Sequence, residues 1–196
     1  MIQVEFKNEI SKMNRLIRTF GKQATFATAV ALTKTAKRIK IEEEQGLTNK
    51  LNKPTPFTRR GFYIRSARKT NLVSVVGIKD IQVKYLDIQI DGGIVKPKKR
   101  ALLAPANIRL NKYGNVPRKR IKTLLSRSDV FSGTIKGVPG IWQRTRNKGV
   151  KLLVRYEDQI KYKKRFPFYK IAQDEASRAL NFEFKRAFRR ARATAR

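Results

Sequence analysis

Between Gly92 and Ser128 the chain has no acidic residue, while Lys96, Lys98, Lys99, Arg100, Arg109, Lys112, Arg118, Lys119, Arg120, Lys122 and Arg127 fall in the same window. Clustered cations without carboxylates to neutralise them pair with phosphate oxygens and release the counterions condensed on a nucleic acid. Binding of that kind weakens with salt, with a log–log slope of about −0.9 per phosphate contacted. The candidate contact residues for a nucleic acid or another polyanion are Lys96, Lys98, Lys99, Arg100, Arg109, Lys112, Arg118, Lys119, Arg120 and Lys122. An acidic protein neighbour could use the same charges. A basic loop that binds nothing in particular is the plain alternative.

The rest of the composition points the same way. Lys and Arg number 47 against 14 Asp and Glu, a formal charge of +33. Self-repulsion on that scale calls for a polyanionic partner, since solubility alone needs a charge of no more than about 8 on a small domain. There is no His and no Cys. That removes thiol nucleophiles, disulfides, zinc fingers and the commonest general base. No metal or cofactor is expected, and no catalytic residue is assigned.

Two further groupings each have a functional reading and a plainer one. Aromatics interleave with cations at Phe57, Arg59, Arg60, Phe62, Tyr63 and Arg65, and again at Tyr162, Arg165, Phe166, Phe168 and Tyr169. On an exposed sheet such pairs stack on bases; the favoured reading is core Phe with Arg stems lying over them. Asp87 and Asp91 share a face of a predicted strand, and Glu157 and Asp158 lie near Lys161. Two acids and a Lys can hold Mg²⁺ for phosphodiester cleavage, but in so basic a chain the acids are read as ion-pair partners. Gly92-Gly93 lacks the spacing of a phosphate-binding glycine loop.

A single α+β domain over 1–196 is expected to position these groups, with a 40% apolar content able to fill a core. Its parts are an N-terminal helical region (1–45), a β-rich region (57–156) that forms a central antiparallel sheet and contains the long basic loop 92–128, and a C-terminal amphipathic helix (168–193). Ile2, Val4 and Phe6 alternate as in a short strand or the approach to a helix. Ile10, Met13, Leu16, Ile17 and Phe20 follow at helical spacing, and Gly21 interrupts. A second, Ala-rich helix runs from Lys22 to Glu44. Glu42, Glu43 and Glu44 read as its solvated end before Gly46, and 46–57 as a loop. Leu72–Ile78 suits a strand. So does Ile81–Ile90, where Leu86, Ile88 and Ile90 alternate with Tyr85, Asp87, Gln89 and Asp91. Strand-like spacing returns over 130–156. The last helix buries Ile171, Ala176, Leu180, Phe184, Ala187, Phe188 and Ala191. No apolar run reaches about 18 residues, so no membrane span is expected, and the N-terminus does not read as a secretory signal.

Several local pieces carry a resemblance. They are Phe26 to Ala36 in the Ala-rich helix, Pro54-Thr55-Pro56-Phe57-Thr58, and Tyr85-Leu86 running into Asp91-Gly92-Gly93. Further along come Leu110 to Arg118, Asp129-Val130-Phe131, Val138-Pro139-Gly140-Ile141-Trp142-Gln143-Arg144 and Arg165-Phe166-Pro167-Phe168. With them the chain resembles the minor tail protein Z family of phages, tail-completion proteins related to head–tail connectors. The resemblance implies a structural, non-enzymatic virion protein of the tail or neck, present in the host cytoplasm during assembly. Its implied partners are other tail and neck proteins and the phage genomic DNA, contacted without sequence preference. A homo-oligomeric ring around or beside the DNA channel, six-membered by family analogy, is implied too. A ribosomal or other RNA-binding protein is the alternative, since basic extensions of such proteins fold on RNA. A nuclease is the third.

Overall fold

The computed structural model describes the backbone of residues 8–97 and 101–193, and their side chains from Gly21 onward. In chain order the elements are α1 (Asn8–Lys50), α2 (Pro56–Arg59), β1 (Phe62–Arg65), β2 (Val75–Ile78), α3 (Asp80–Asp91), β3 (Gly93–Val95), β4 (Leu102–Pro105), α4 (Arg120–Leu125), β5 (Val130–Ile135), β6 (Val138–Arg144), β7 (Val150–Glu157), β8 (Ile160–Tyr162) and α5 (Phe168–Ala193). Helices and antiparallel sheets make the fold α+β, with a C-terminal helix over the expected residues. The expected N-terminal strand or approach, 2–6, lies outside the described residues. The chain divides into two compact units, Met1–Ile90 with Arg165–Arg196, and Asp91–Lys164.

The first unit is built on α1 and α5. Gly21 bends α1 at φ 57°, ψ −129°, backbone angles open only to glycine. Beyond it Ala24, Ala27, Ala29, Ala31 and Ala36 are all buried. Their small side chains bring α1 close to α5, where Ala27, Ala31 and Leu32 pack with Leu180, Phe184, Ala187 and Ala191. A second cluster gathers Leu47, Phe62, Ile78, Leu86, Ile90, Phe166 and Phe168. Phe62, Phe166 and Phe168 stand mutually 6.1–6.3 Å apart between ring centroids. Burying each ring contributes roughly 1.5–3 kcal/mol. Core packing is thus the role of these three aromatics, whereas Phe57 is 55% exposed.

Three segments of this unit depart from what the sequence pattern predicts. Ile81–Ile90 is not a strand but most of α3. The alternation of Leu86, Ile88 and Ile90 is also compatible with a helix, in which Leu86 and Ile90 lie one turn apart. Helical spacing puts Gln82, Leu86 and Ile90 on the buried side and leaves Ile81 and Tyr85 outside. Buried Gln82 donates its Nε2 to the Phe57 carbonyl at 3.1 Å, while its Oε1 is buried without a hydrogen-bond partner. Secondly, α1 does not stop before Gly46 but runs on to Lys50. A Cβ on Gly46 would come within 2.6 Å of Ile171 Cδ1, so this glycine permits close helix packing rather than a stop. Pro54 follows the end, and Thr55 caps α2 by accepting from the Thr58 amide at 3.1 Å. Thirdly, Glu43 is not at a solvated end but fully buried.

The second unit holds a four-stranded sheet in the order β4-β7-β6-β5, every pair antiparallel, and a separate β3–β8 ladder. Leu124, Val130, Ile141, Leu153 and Val154 form its core, with Ile108, Ile121 and Tyr156 against them. The window 92–128, expected as mostly loop, contains β3, β4 and α4.

Candidate polyanion-binding surface

The stretch between β4 and α4 has little regular structure, yet it is closely tied down. Ala106 and Asn107 donate their amides to the Leu153 carbonyl, and Asn107 Nδ2 donates to Leu152 O at 2.8 Å. Ile108 then turns into the core, and Arg109 is exposed. The next turn is organised by one side chain. Asn111 Oδ1 accepts from the amides of Tyr113 (2.9 Å) and Asn115 (3.0 Å). The Asn111 amide donates to Asn115 O, and the Gly114 amide to Asn111 O. Gly114 supplies the positive φ of 76° that closes the turn. This frame presents Lys112, whose Nζ lies 5.1 Å from the Tyr113 ring centroid.

Arg118 and Lys119 follow Pro117, both exposed. The Arg120 amide donates to Pro117 O, and Thr123 returns both its amide and Oγ1 to Lys119 O. Ile121 and Leu124 anchor α4 in the core, so Lys122 points out while Arg120 is half-buried. Arg120 Nε is buried without a hydrogen-bond partner. Five of the expected contacts, Arg109, Lys112, Arg118, Lys119 and Lys122, therefore sit exposed on one anchored segment. Lys96, also exposed, follows β3 on the other ladder. Lys98, Lys99 and Arg100 lie outside the described residues.

Arg127, in the same basic window, is already taken. Its Nε and Nη2 donate to the two carboxylate oxygens of Asp129 at 2.9 and 2.7 Å. Gln143 Nε2 adds a third bond to Asp129 at 2.8 Å. The Arg127 and Gln143 donors hold the Asp129 carboxyl down at about 2, and Asp129 in turn raises the Arg127 guanidinium above its ordinary value.

Further exposed cations, outside the acid-free window, lie on the hairpin turns of the sheet. Lys136 and Gly137 both have positive φ, 48° and 76°, which makes the β5–β6 connection a two-residue hairpin turn. Arg146 and Lys148 lie in the β6–β7 turn, closed by the Thr145 amide on Gly149 O. Consecutive antiparallel hairpins put these two turns at opposite ends of the sheet. Their signal in the sequence was Lys beside Gly between two apolar runs. Asp87 and Asp91 sit one turn apart on α3, and Glu157 accepts from Arg155 at 3.0 Å. Among the described residues no three acidic side chains gather as a metal site would need.

No protein-family model, no curated protein and no solved structure matches this chain.

Proposed function

We propose that this chain is a structural protein of a phage tail or neck, a tail-completion or head–tail connector component that contacts the genome without reading its sequence. The observation that carries the reading is the exposed run Arg109, Lys112, Arg118, Lys119 and Lys122, held on the Asn111 turn and α4 within a window free of acids. Cations on a fixed frame position a phosphate backbone but do not discriminate bases. In a homo-oligomeric ring, six-membered by the family resemblance, closed symmetry would repeat this segment around the channel. The Lys98-Lys99-Arg100 run would add to it.

The test is a sedimentation profile of lysate from producing cells, with the chain followed by mass spectrometry. A peak with DNA-containing particles is expected. Co-migration with ribosomal subunits would overturn the reading in favour of an RNA-binding protein.

A further inference from the structure

A second basic surface lies in the first unit, far in sequence from the segment above. Phe26, Val30 and Lys34 of α1 face Arg186, Ala187 and Arg190 of α5 across a hollow of about 370 Å³. Its floor is apolar, with Ala187 6% exposed. Phe26 forms one lip, 44% exposed, with Lys69 Nζ 5.0 Å from its ring centroid. Arg186 and Arg190 also line an adjoining hollow with Lys185, Arg189 and Phe182, the last 57% exposed. Among the described residues, no carboxylate lines either hollow. The nearest in sequence, Glu183, is buried and held by Arg38 at 3.6 Å and Lys34 at 4.0 Å.

We infer that this α1–α5 face docks an acidic segment of a partner protein, which seats one large apolar side chain in the hollow beside Phe26. Two features have to be met together. The rim offers the guanidinium groups of Arg186 and Arg189, which pair with carboxylates through two parallel hydrogen bonds. The floor and lips offer apolar and aromatic surface, which gains by losing its water. A nucleic-acid backbone supplies the anions but no side chain for the hollow, and would leave Phe26 and Phe182 wet. An acidic segment with an apolar anchor meets both, in the manner of an interface hot spot ringed by charge. The inference does not depend on the proposed DNA contact and stands or falls separately.

The probe is a labelled synthetic peptide of Asp and Glu with one central Phe, and a twin with Ala at that place. Both are titrated into the full chain by fluorescence anisotropy. The Phe peptide is expected to bind at least about tenfold more tightly than its twin. Arg186→Glu, at an exposed site, should remove binding of both. Phe26→Ala should shrink the advantage of the Phe peptide and leave the twin unchanged. Lys148→Glu, in the second unit, should alter neither, and circular dichroism checks that each variant is folded. Lys185→Glu serves as a second rim variant if Arg186→Glu fails that check. Equal binding of the twins, with both displaced by a short DNA duplex, would overturn the inference and make the face a further DNA contact. Indifference of both peptides to the rim variants would overturn it outright.

Discussion

Arg38 Nε of α1 donates to Glu175 Oε1 of α5 at 2.7 Å, and Glu175 is 3% exposed. The hydrogen bond to Glu175, ahead of the charges of Glu175 and Glu183, raises the Arg38 guanidinium above its ordinary value. Arg178 approaches the other carboxylate oxygen at 3.2 Å. Ion pairs from Arg38 to Glu175 and Glu183 thus link two helices whose contact is otherwise apolar, made of alanines with Leu32, Leu180 and Phe184.

Removal of Arg38 is expected to harm stability mainly by what it leaves behind. The Arg38 side chain is 44% exposed, so solvent screens its own share of the attraction. Glu175 stays buried with Arg178 alone, and Glu183 loses its closer partner. Arg38→Met should destabilise the chain by about 2 kcal/mol. Arg38→Met combined with Glu175→Leu should cost less than the two single changes added together. Urea unfolding in a double-mutant cycle measures this; strict additivity would show that the pair is not coupled.

Glu43 predicts a pH dependence of opposite sign to that of a paired carboxylate. Burial raises its carboxyl from 4.5 to about 9, offset only in part by the neighbouring Ala172 backbone, and neither oxygen finds a partner with full hydrogen-bond geometry. The folded chain therefore keeps a proton that the unfolded chain releases. Its contribution to stability is fully present below about 4.5 and is lost as pH rises towards about 9. Within that window the slope is up to about 1.4 kcal/mol per pH unit. Glu43→Gln should flatten it, and urea midpoints of both proteins across the window give the comparison. Parallel curves would mean that Glu43 ionises inside the fold.

The basic turn predicts a change in salt dependence. Lys112→Ala, Arg118→Ala and Lys119→Ala together remove three exposed cations and leave intact the Asn111 hydrogen bonds that frame the turn. The log–log salt slope for binding a DNA duplex should fall by roughly 2–3, with circular dichroism unchanged. Anisotropy titrations over a range of NaCl concentrations test it, and an unaltered slope would place the DNA contact elsewhere.

Gly133 and Gly140 face each other across β5 and β6, yet they should respond differently to alanine. A Cβ on Gly140 would run into the Val154 carbonyl and the Leu152 side chain, whereas one on Gly133 meets only the Phe131 ring at 3.6 Å. A backbone carbonyl cannot move aside without parting β6 from β7. Gly140→Ala should therefore destabilise by about 1–3 kcal/mol or more, and Gly133→Ala by far less. Denaturant unfolding of the two variants decides it.

What a segment contains was legible from its residues alone. The repeat of Leu180, Phe184, Ala187 and Ala191 over one face defines α5 whatever surrounds it, and a backbone break at Gly21 needs only a missing Cβ. The acid-free cationic window could likewise be counted directly. What a segment meets could not be read this way. Leu86, Ile88 and Ile90 fit either period, and the Phe62–Phe168 cluster and the Phe57 carbonyl decided for a helix. Gly46 reads as a stop until Ile171 lies against it, and Glu43 reads as solvated until α5 covers it. The same division holds at the surface. Asp129 neutralises Arg127, and only the approach of α1 to α5 makes a hollow between Phe26 and Arg186. Charge and periodicity belong to a stretch of chain by itself, while burial and pairing belong to two stretches at once and exist only after they have packed.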